Sequence, residues 1–311
     1  MAGGLDDLNA PGISKAGGGT KAGIGLASGS IFKMKLFTLA VAAMSLGAPF
    51  AHAEISVERG EYLVRGPMGC GNCHTPMGPA GFVAEQELAG RLVDQNPMFT
   101  AIAPNITPAG RVGEWSDAEL ARAIREGIRP DGTVIGPPMP IVLYRHISDD
   151  DLASIVAFLR TVQPIENEVP ASTYNIPLPP AYGPPIETVA APEPGVTEEW
   201  GRYVATIAHC MECHSPMGPN GPMIEQAMGQ GGMEFPGPWG VAVSPNITPH
   251  EDGIAGYSDE ELKAMITKGE HPDGHAMLPP MPYPFLARMT AEDLDALILY
   301  LRSIPPLPDA G

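Results

Sequence analysis

The sequence predicts an all-α fold: two tandem helical domains joined by a Pro-rich linker. Three observations carry this expectation. The chain beyond residue 53 is one unit written twice, each copy shows three helical signals with no clear strand alternation, and a proline-rich stretch lies between the copies. The repeat is dense. Gly60-Glu-Tyr-Leu63 returns as Gly201-Arg-Tyr-Val204, Pro104-Asn-Ile-Thr-Pro108 as Pro245-Asn-Ile-Thr-Pro249, and Pro137-Pro-Met-Pro140 as Pro279-Pro-Met-Pro282. A period near 140 residues is a duplicated domain rather than a solenoid of short repeats.

The first helix is expected over residues 56 to 65, with an apolar face through Val57, Tyr62, Leu63 and Val64. Ser116 and Glu119 form a capping box ahead of Leu120, Ala123 and Ile124, and Gly127 and Pro130 end that helix. Ser148 opens a third helix, with Asp149, Asp150 and Asp151 favourable at its positive end. Its apolar positions are Leu152, Ile155, Val156 and Leu159. The second copy repeats the scheme with Ser258–Glu261 and with Thr290–Asp293 followed by Leu294, Leu297, Ile298 and Leu301. The domain boundaries expected are 54–168 and 196–311. Residues 169–195 form the linker, whose prolines favour an extended, semi-rigid spacer.

Residues 1–53 look like an address. Lys33 and Lys35 precede the apolar run LFTLAVAAMSLGAPF, and Ala51-His52-Ala53 supplies an A-x-A cleavage site. This predicts export, a mature chain from Glu54, and Met34 as a candidate initiator. The run is short for a membrane span, which needs about 20 apolar residues. No later segment is long enough either, so a mature chain without an intrinsic transmembrane helix is expected. The full chain has a net charge of −18 over 311 residues. Such an acidic chain is unsuited to binding nucleic acid by neutralising phosphates. The excess is uneven: residues 54–168 carry nine basic and sixteen acidic residues, and residues 169–311 carry five and eighteen. A basic partner is therefore expected to favour the second copy.

The chemistry sits in the cysteines. The chain has four, in Cys70-Gly-Asn-Cys73-His74 and Cys210-Met-Glu-Cys213-His214. A thioredoxin-like redox pair needs βαβ context, which is missing, and does not need the adjacent histidine. A four-cysteine zinc site needs the two pairs to meet, whereas the duplication makes each copy self-sufficient. Covalent haem c attachment is the third reading, and C-x-x-C-H is its sequence signal. Two thiols add to the two vinyl groups along one porphyrin edge, and the next residue places its imidazole on the iron. Two covalently bound haem c groups are expected, with His74 and His214 as proximal ligands.

A thioether at the sixth position raises the reduction potential. Of 16 methionines, Met139 and Met281 are the candidates, because each sits in Pro-Pro-Met-Pro well after its histidine. Proline neighbours stiffen that loop. Met77 and Met217 also repeat, but lie only three residues after the proximal histidine. Bis-histidine ligation is the rival. The first copy offers only His146 for it, and the equivalent position in the second copy is Arg288.

On these residues both copies resemble class I cytochrome c domains. The run APNITP…EWSDAELARAIREGIRPDG…PPMP…ISDDDLASIVAFLR more narrowly resembles the cytochrome subunits of membrane-bound alcohol and gluconate dehydrogenases. The resemblance implies that the first and last helices of each copy cross, with Gly60 and Gly201 allowing close approach to the helices that hold Phe158 and Tyr300. Trp115 and Tyr257 are expected either to donate hydrogen bonds near a haem propionate or to serve as core packing. Those subunits usually carry three haems and a membrane-associating tail, and this chain shows two haem motifs. The function expected is a periplasmic dihaem electron carrier, with a dehydrogenase as donor and a cytochrome or terminal oxidase as acceptor, and no catalysis of its own. The alternative is a dihaem redox enzyme of the peroxidase or thiosulfate-oxidising type. A peroxidase needs an open iron position, and both copies keep the same methionine motif.

Overall fold

In chain order, a computed structural model describes residues 55–219 and 221–310. The expected signal segment, its cleavage site and the Met34 start lie outside the described residues. In the first copy the elements are α1 (Val57–Arg65), α2 (Cys70–His74), the hairpin β1 (Met77–Gly78) and β2 (Gly81–Phe82), the hairpin β3 (Arg91–Gln95) and β4 (Phe99–Ala103), then α3 (Asp117–Glu126), α4 (Ile141–Tyr144) and α5 (Asp149–Thr161). The connecting stretch contributes β5 (Thr173–Tyr174). The second copy runs α6 (Glu198–Ile207), α7 (Cys210–Cys213), β6 (Met217–Gly218), β7 (Gly221–Pro222), β8 (Glu234–Gly237), β9 (Gly240–Val243), α8 (Asp259–Lys268), α9 (Tyr283–Leu286) and α10 (Ala291–Ser303).

The all-α expectation is corrected by these strands. About 35% of the chain is helical and 13% is strand, in several small antiparallel sheets. Their physical origin is local. Glycines with positive φ at Gly81, Gly221 and Gly240 turn three of the hairpins, and strands of two to five residues are too short to show a period of two. The core is nevertheless built by helices. In each copy the first helix packs on the last, α1 on α5 and α6 on α10. The crossing requires glycine: a Cβ on Gly60 would lie 2.6 Å from the Ser154 carbonyl carbon and 2.7 Å from Phe158 Cβ. At Gly201 the same atom would lie 2.6 Å from the Ala296 carbonyl carbon and 2.8 Å from Tyr300 Cβ. Leu63, Val64, Ile155 and Leu159 fill the first seam, and Val204, Ile207, Leu297 and Ile298 the second.

Helix starts follow the sequence signals. Ser116 and Ser258 each close a full capping box with Glu119 and Glu261. The hydroxyls of Ser148 and Thr290 accept from the backbone N–H of Asp151 and Asp293. Helix α3 ends on Gly127 and α8 on Gly269, both left-handed.

Two features go beyond the sequence reading. First, the copies dock on one another through a reciprocal exchange. The Tyr62 hydroxyl donates to Asp293 at the start of α10, and the Tyr203 hydroxyl donates to Asp151 at the start of α5, at 2.6 Å. Tyr62 and Tyr203 are equivalent repeat positions, and so are Asp151 and Asp293, so each copy lends a tyrosine to the other. Within its own copy Asp151 also receives a two-pronged bond from Arg59 (2.8 and 2.9 Å), and Asp293 receives the Trp200 indole N–H (2.6 Å). Burial and the neighbouring carboxylate raise the pKa of both tyrosines, which keeps them as donors. Second, the proline-rich stretch is seated on the first copy. Strand β5 extends the β3–β4 sheet, pairing Tyr174 with Phe99 and Thr173 with Thr100.

Candidate haem sites

Each C-x-x-C-H motif forms one short helix, so both thiols and the imidazole emerge from a single turn. His74 and His214 are 7% and 9% exposed. The next question is what fixes their rings. Nδ1 of His74 lies 2.8 Å from the Pro104 carbonyl oxygen, and Nδ1 of His214 lies 2.8 Å from that of Pro245. A carbonyl can only accept, so Nδ1 carries the proton and the Nε2 lone pair is left for a metal. Burial lowers both imidazole pKa values, which favours the neutral, ligating form.

The Pro-Asn-Ile-Thr-Pro runs hold those carbonyls in place. The Asn105 side-chain oxygen accepts from the Thr107 N–H (2.9 Å) and hydroxyl (2.8 Å), while its amide nitrogen donates to the Ile165 carbonyl (2.7 Å). Asn246, Thr248 and Leu307 repeat the arrangement at 2.9, 2.8 and 2.8 Å. Both asparagines and both threonines are buried. Sequence reading singled out these runs as repeats without finding this role. The signal was their recurrence with a polar Asn and Thr inside an otherwise apolar loop.

All four cysteines are free and partly buried, and burial pushes the Cys70, Cys210 and Cys213 thiols up to about 12. Among the described residues no group of three or more His, Cys, Asp or Glu side chains is placed to hold a metal ion. A four-cysteine zinc site therefore does not fit, whereas a site that draws most of its ligands from a porphyrin does. Arg91 supplies a further indication. Its Nη2 donates to the Asn72 carbonyl at 2.7 Å, its charge acts on Cys73 and His74, and its Nε is buried without a hydrogen-bond partner. An anionic propionate suits that orphan donor.

Met139 and Met281 are partly buried against the core, each just before a proline that opens a short helix, α4 or α9. The Met139 carbonyl accepts from the Ile141 N–H at 2.8 Å and the Met281 carbonyl from the Tyr283 N–H at 3.0 Å, so the two loops share one conformation. Met77 and Met217 are instead 55% and 60% exposed on hairpins, away from the core. Trp115 and Tyr257 pack against the core, and their carbonyls accept from Arg160 and Arg302.

The duplication did not reveal that the two motifs are neighbours. A Cβ on Gly71, inside the first motif, would touch the Phe285 ring of the second copy at 2.9 Å. The Tyr144 ring of the first copy meets the His209 ring, next to the second motif, edge-on at 6.1 Å. Glu212, inside the second motif, is pushed up to about 8 by burial and lies close enough for its charge to act on Cys73 and Tyr144 of the first copy.

Two attachment helices on a duplicated frame, each presenting a buried imidazole with one fixed tautomer, are the working parts of a c-type cytochrome. Comparison with known proteins agrees. No family model matches the chain. It is 30% identical over 255 residues to a diheme c-type cytochrome of Cereibacter sphaeroides, covering 77% of this chain and 83% of that protein. The chain belongs to the dihaem c-type cytochromes. It is also 31% identical over 278 residues to the fructose dehydrogenase cytochrome subunit of Gluconobacter japonicus. To the gluconate 2-dehydrogenase cytochrome c subunit of Pantoea cypripedii it is 27% identical over 297 residues. These alignments cover 82% and 88% of this chain, but only 54% and 65% of the relatives. The chain thus spans little more than half of the fructose dehydrogenase subunit.

Haem c is covalently bound, and its iron supplies the chemistry: it takes up and releases one electron at a time. The protein's own residues anchor, orient and shield it. The paired cysteines would provide the thioether attachment, and the prolyl carbonyls hold each imidazole in one orientation.

Proposed function

We propose that this chain is an exported, periplasmic electron-transfer subunit that takes electrons from a dehydrogenase and passes them to a downstream cytochrome or oxidase. In this reading Cys70, Cys73 and His74 hold the first haem and Cys210, Cys213 and His214 the second. Met139 and Met281 supply the sixth ligands. The observation that carries the proposal is the closeness of the two attachment motifs at the repeat interface, where Gly71 of the first faces Phe285 and His209 beside the second faces Tyr144: it favours a short electron route through one chain. The names of the relatives support a dehydrogenase as donor. Among the described residues no helix is long and apolar enough to cross a membrane.

Axial substitution tests the ligand set. Met139→His and Met281→His should each lower the potential of one haem, within the roughly 0.8 V that axial ligands span, and leave both haems attached. Each should also remove half of the weak red absorption of the ferric iron–thioether bond. Unchanged potentials and absorption for either variant would exclude that methionine as a ligand. Donor identity is tested by purifying the haem-loaded chain from its own cells. A dehydrogenase should accompany it and reduce both haems when given substrate.

A further inference from the structure

The two attachment sites share their tethers and differ in the charge set beside them. In the first copy the Gly90 N–H donates to the His74 carbonyl at 2.6 Å, and in the second the Gly231 N–H donates to the His214 carbonyl at 2.8 Å. The residue that follows is Arg91 in one and Gly232 in the other. Two prongs of the Arg91 guanidinium are tied down: Nη2 donates to the carbonyl of Asn72, between the paired cysteines, at 2.7 Å, and Nη1 to that of Leu92 at 3.1 Å. The third, Nε, is buried without a partner. The charge is felt at the site. Burial lowers the His74 pKa and Arg91 lowers it further, while burial raises Cys73 and Arg91 opposes the rise. In the second copy burial lowers the His214 pKa against the pull of the Pro245 carbonyl. Cys213 is raised by burial and by acidic neighbours, Glu212 and the Cys210 and Cys73 thiols.

A second cation lies toward the methionine loop of the first copy. Arg129 donates to the Val134 carbonyl at 2.8 Å and is close enough to Tyr174 for the two charges to interact. The Tyr174 hydroxyl donates to the Pro137 carbonyl at 3.1 Å, two residues before Met139. The counterpart of Arg129 is His271, which makes the same turn: Gly132 bonds the Arg129 carbonyl at 2.9 Å and Gly274 that of His271 at 2.8 Å. An imidazole carries a charge only when protonated, whereas a guanidinium always does. The wider field has the same sign of difference. Residues 54–168 carry seven more acidic than basic residues, and residues 169–311 thirteen more.

We propose that Arg91 holds the first haem at a higher potential than the second and so sets the direction of electron flow through the chain, from the second site to the first. This rests on the haem attachment and the donor assigned under Proposed function. Reduction adds one negative charge to a haem, and a fixed cation beside it favours that state. The effect is strongest where the cation is held out of water. The free Nε suits a propionate, and a paired propionate opposes reduction less than an unpaired one. Gly232 provides neither charge nor donor. One electron then passes from the second site, which is oxidised, to the first, which is reduced, and no bond forms or breaks. The dehydrogenase accordingly meets the second copy and the downstream acceptor the first.

The test is a spectroelectrochemical titration of the haem-loaded full chain, which should resolve two one-electron waves. Arg91→Gln should lower the upper wave by about tenfold in its equilibrium constant, about 59 mV for one electron. The lower wave, the haem content and the red absorption of the ferric iron–thioether bond should be unchanged. Arg91→Lys keeps the charge without the planar fork and should retain more than half of the gap that Arg91→Gln loses. Arg129→Gln should move the same upper wave by less. The order can also be read with Arg91 in place: Met281→His should lower the lower wave and Met139→His the upper. If Arg91→Gln moves the lower wave, both waves equally or neither, or if lysine and glutamine act alike, the role of Arg91 is overturned. If Met281→His moves the upper wave, the direction of flow is overturned. Both results would leave two attached haems and a chain still reduced by its dehydrogenase, so the proposed function would stand. A chain holding fewer than two haems, or one its dehydrogenase fails to reduce, would overturn that function and this inference with it.

Discussion

The two copies share a frame and differ at the points where the frame meets something else. In the first copy the residue before the C-x-x-C helix is Gly69, with a φ of 55°, where a left-handed backbone is free of a Cβ clash. In the second it is His209, with a φ of 47°. A histidine tolerates that conformation at some cost, and here its ring is used against Tyr144. Arg91 lies beside the first motif, and its counterpart is Gly232. Arg59 binds Asp151 with charge, whereas Trp200 binds Asp293 without it. The crossing glycines and the imidazole tethers are the same in both copies, because each contact there is fixed by backbone distance, and the seams keep their apolar character while changing side chains, Leu63 to Val204 and Ile155 to Leu297. The positions that differ in kind, Gly69 and His209, Arg91 and Gly232, Arg59 and Trp200, lie beside the motifs or at the contact between the copies.

The largest test of this comparison removes a cofactor from one side. Cys70→Ala with Cys73→Ala should leave a protein with one haem, held by the second copy, and the first copy should lose most of its order. Intact-protein mass and haem staining read the result. Exchanging Cys210 and Cys213 instead should give the mirror outcome, and two haems in either variant would break the assignment of attachment sites.

A smaller effect separates the two aspartates. Asp151→Asn leaves the half-buried Arg59 guanidinium facing a neutral amide, at a cost of about 3 kcal/mol. Asp293→Asn leaves only the neutral donors Trp200 and Tyr62, which an amide oxygen still serves, at about 1 kcal/mol. Denaturant unfolding of the haem-loaded protein measures both. Combining Asp151→Asn with Arg59→Met should recover most of the first loss, and equal costs for the two single variants would remove the distinction between charged and neutral partners.

These two aspartates also show where sequence reasoning stopped. Their capping serines and threonines and the helix runs were legible, because each depends on residues within a turn, while the close approach at Gly60 and Gly201 came from the family resemblance. The exchange of Tyr62 and Tyr203 was not. Its partners lie 231 and 52 residues away in the chain, and an isolated tyrosine carries no pattern. Recurrence at equivalent positions was the available clue. The strands were missed for another reason: β3 and β4 are separated by Asn96-Pro97-Met98, which reads as a turn, but five residues with a bulge between Leu92 and Asp94 blur the alternation. Strand β5 lies among prolines, where an extended spacer is the simpler reading. The two C-x-x-C-H motifs stand out in the sequence, whereas their proximity needed three dimensions.

The smallest test should show no difference between copies. Glu119 and Glu261 each accept bonds from the backbone N–H and hydroxyl of a capping serine, which holds both carboxyls below their usual pKa. A depressed pKa gives stability that is present above the unfolded value, about 4.3, and is lost as pH falls through the folded value. Glu119→Ala and Glu261→Ala should therefore lower the melting temperature at neutral pH by similar amounts, and the gap to the unaltered protein should close in acid. A gap that persists at low pH would place the effect elsewhere.

The reciprocal tyrosines have one more consequence. A contact in which each half lends the same residue to the other is the geometry of an isologous dimer, here written on a single chain. Two separate subunits would associate only above some concentration and would part on dilution. Joined by a short linker, they meet at an effective concentration in the ~mM range. The spacing between the two iron sites is thereby independent of how much protein is present, and a single molecule carries a complete two-electron store.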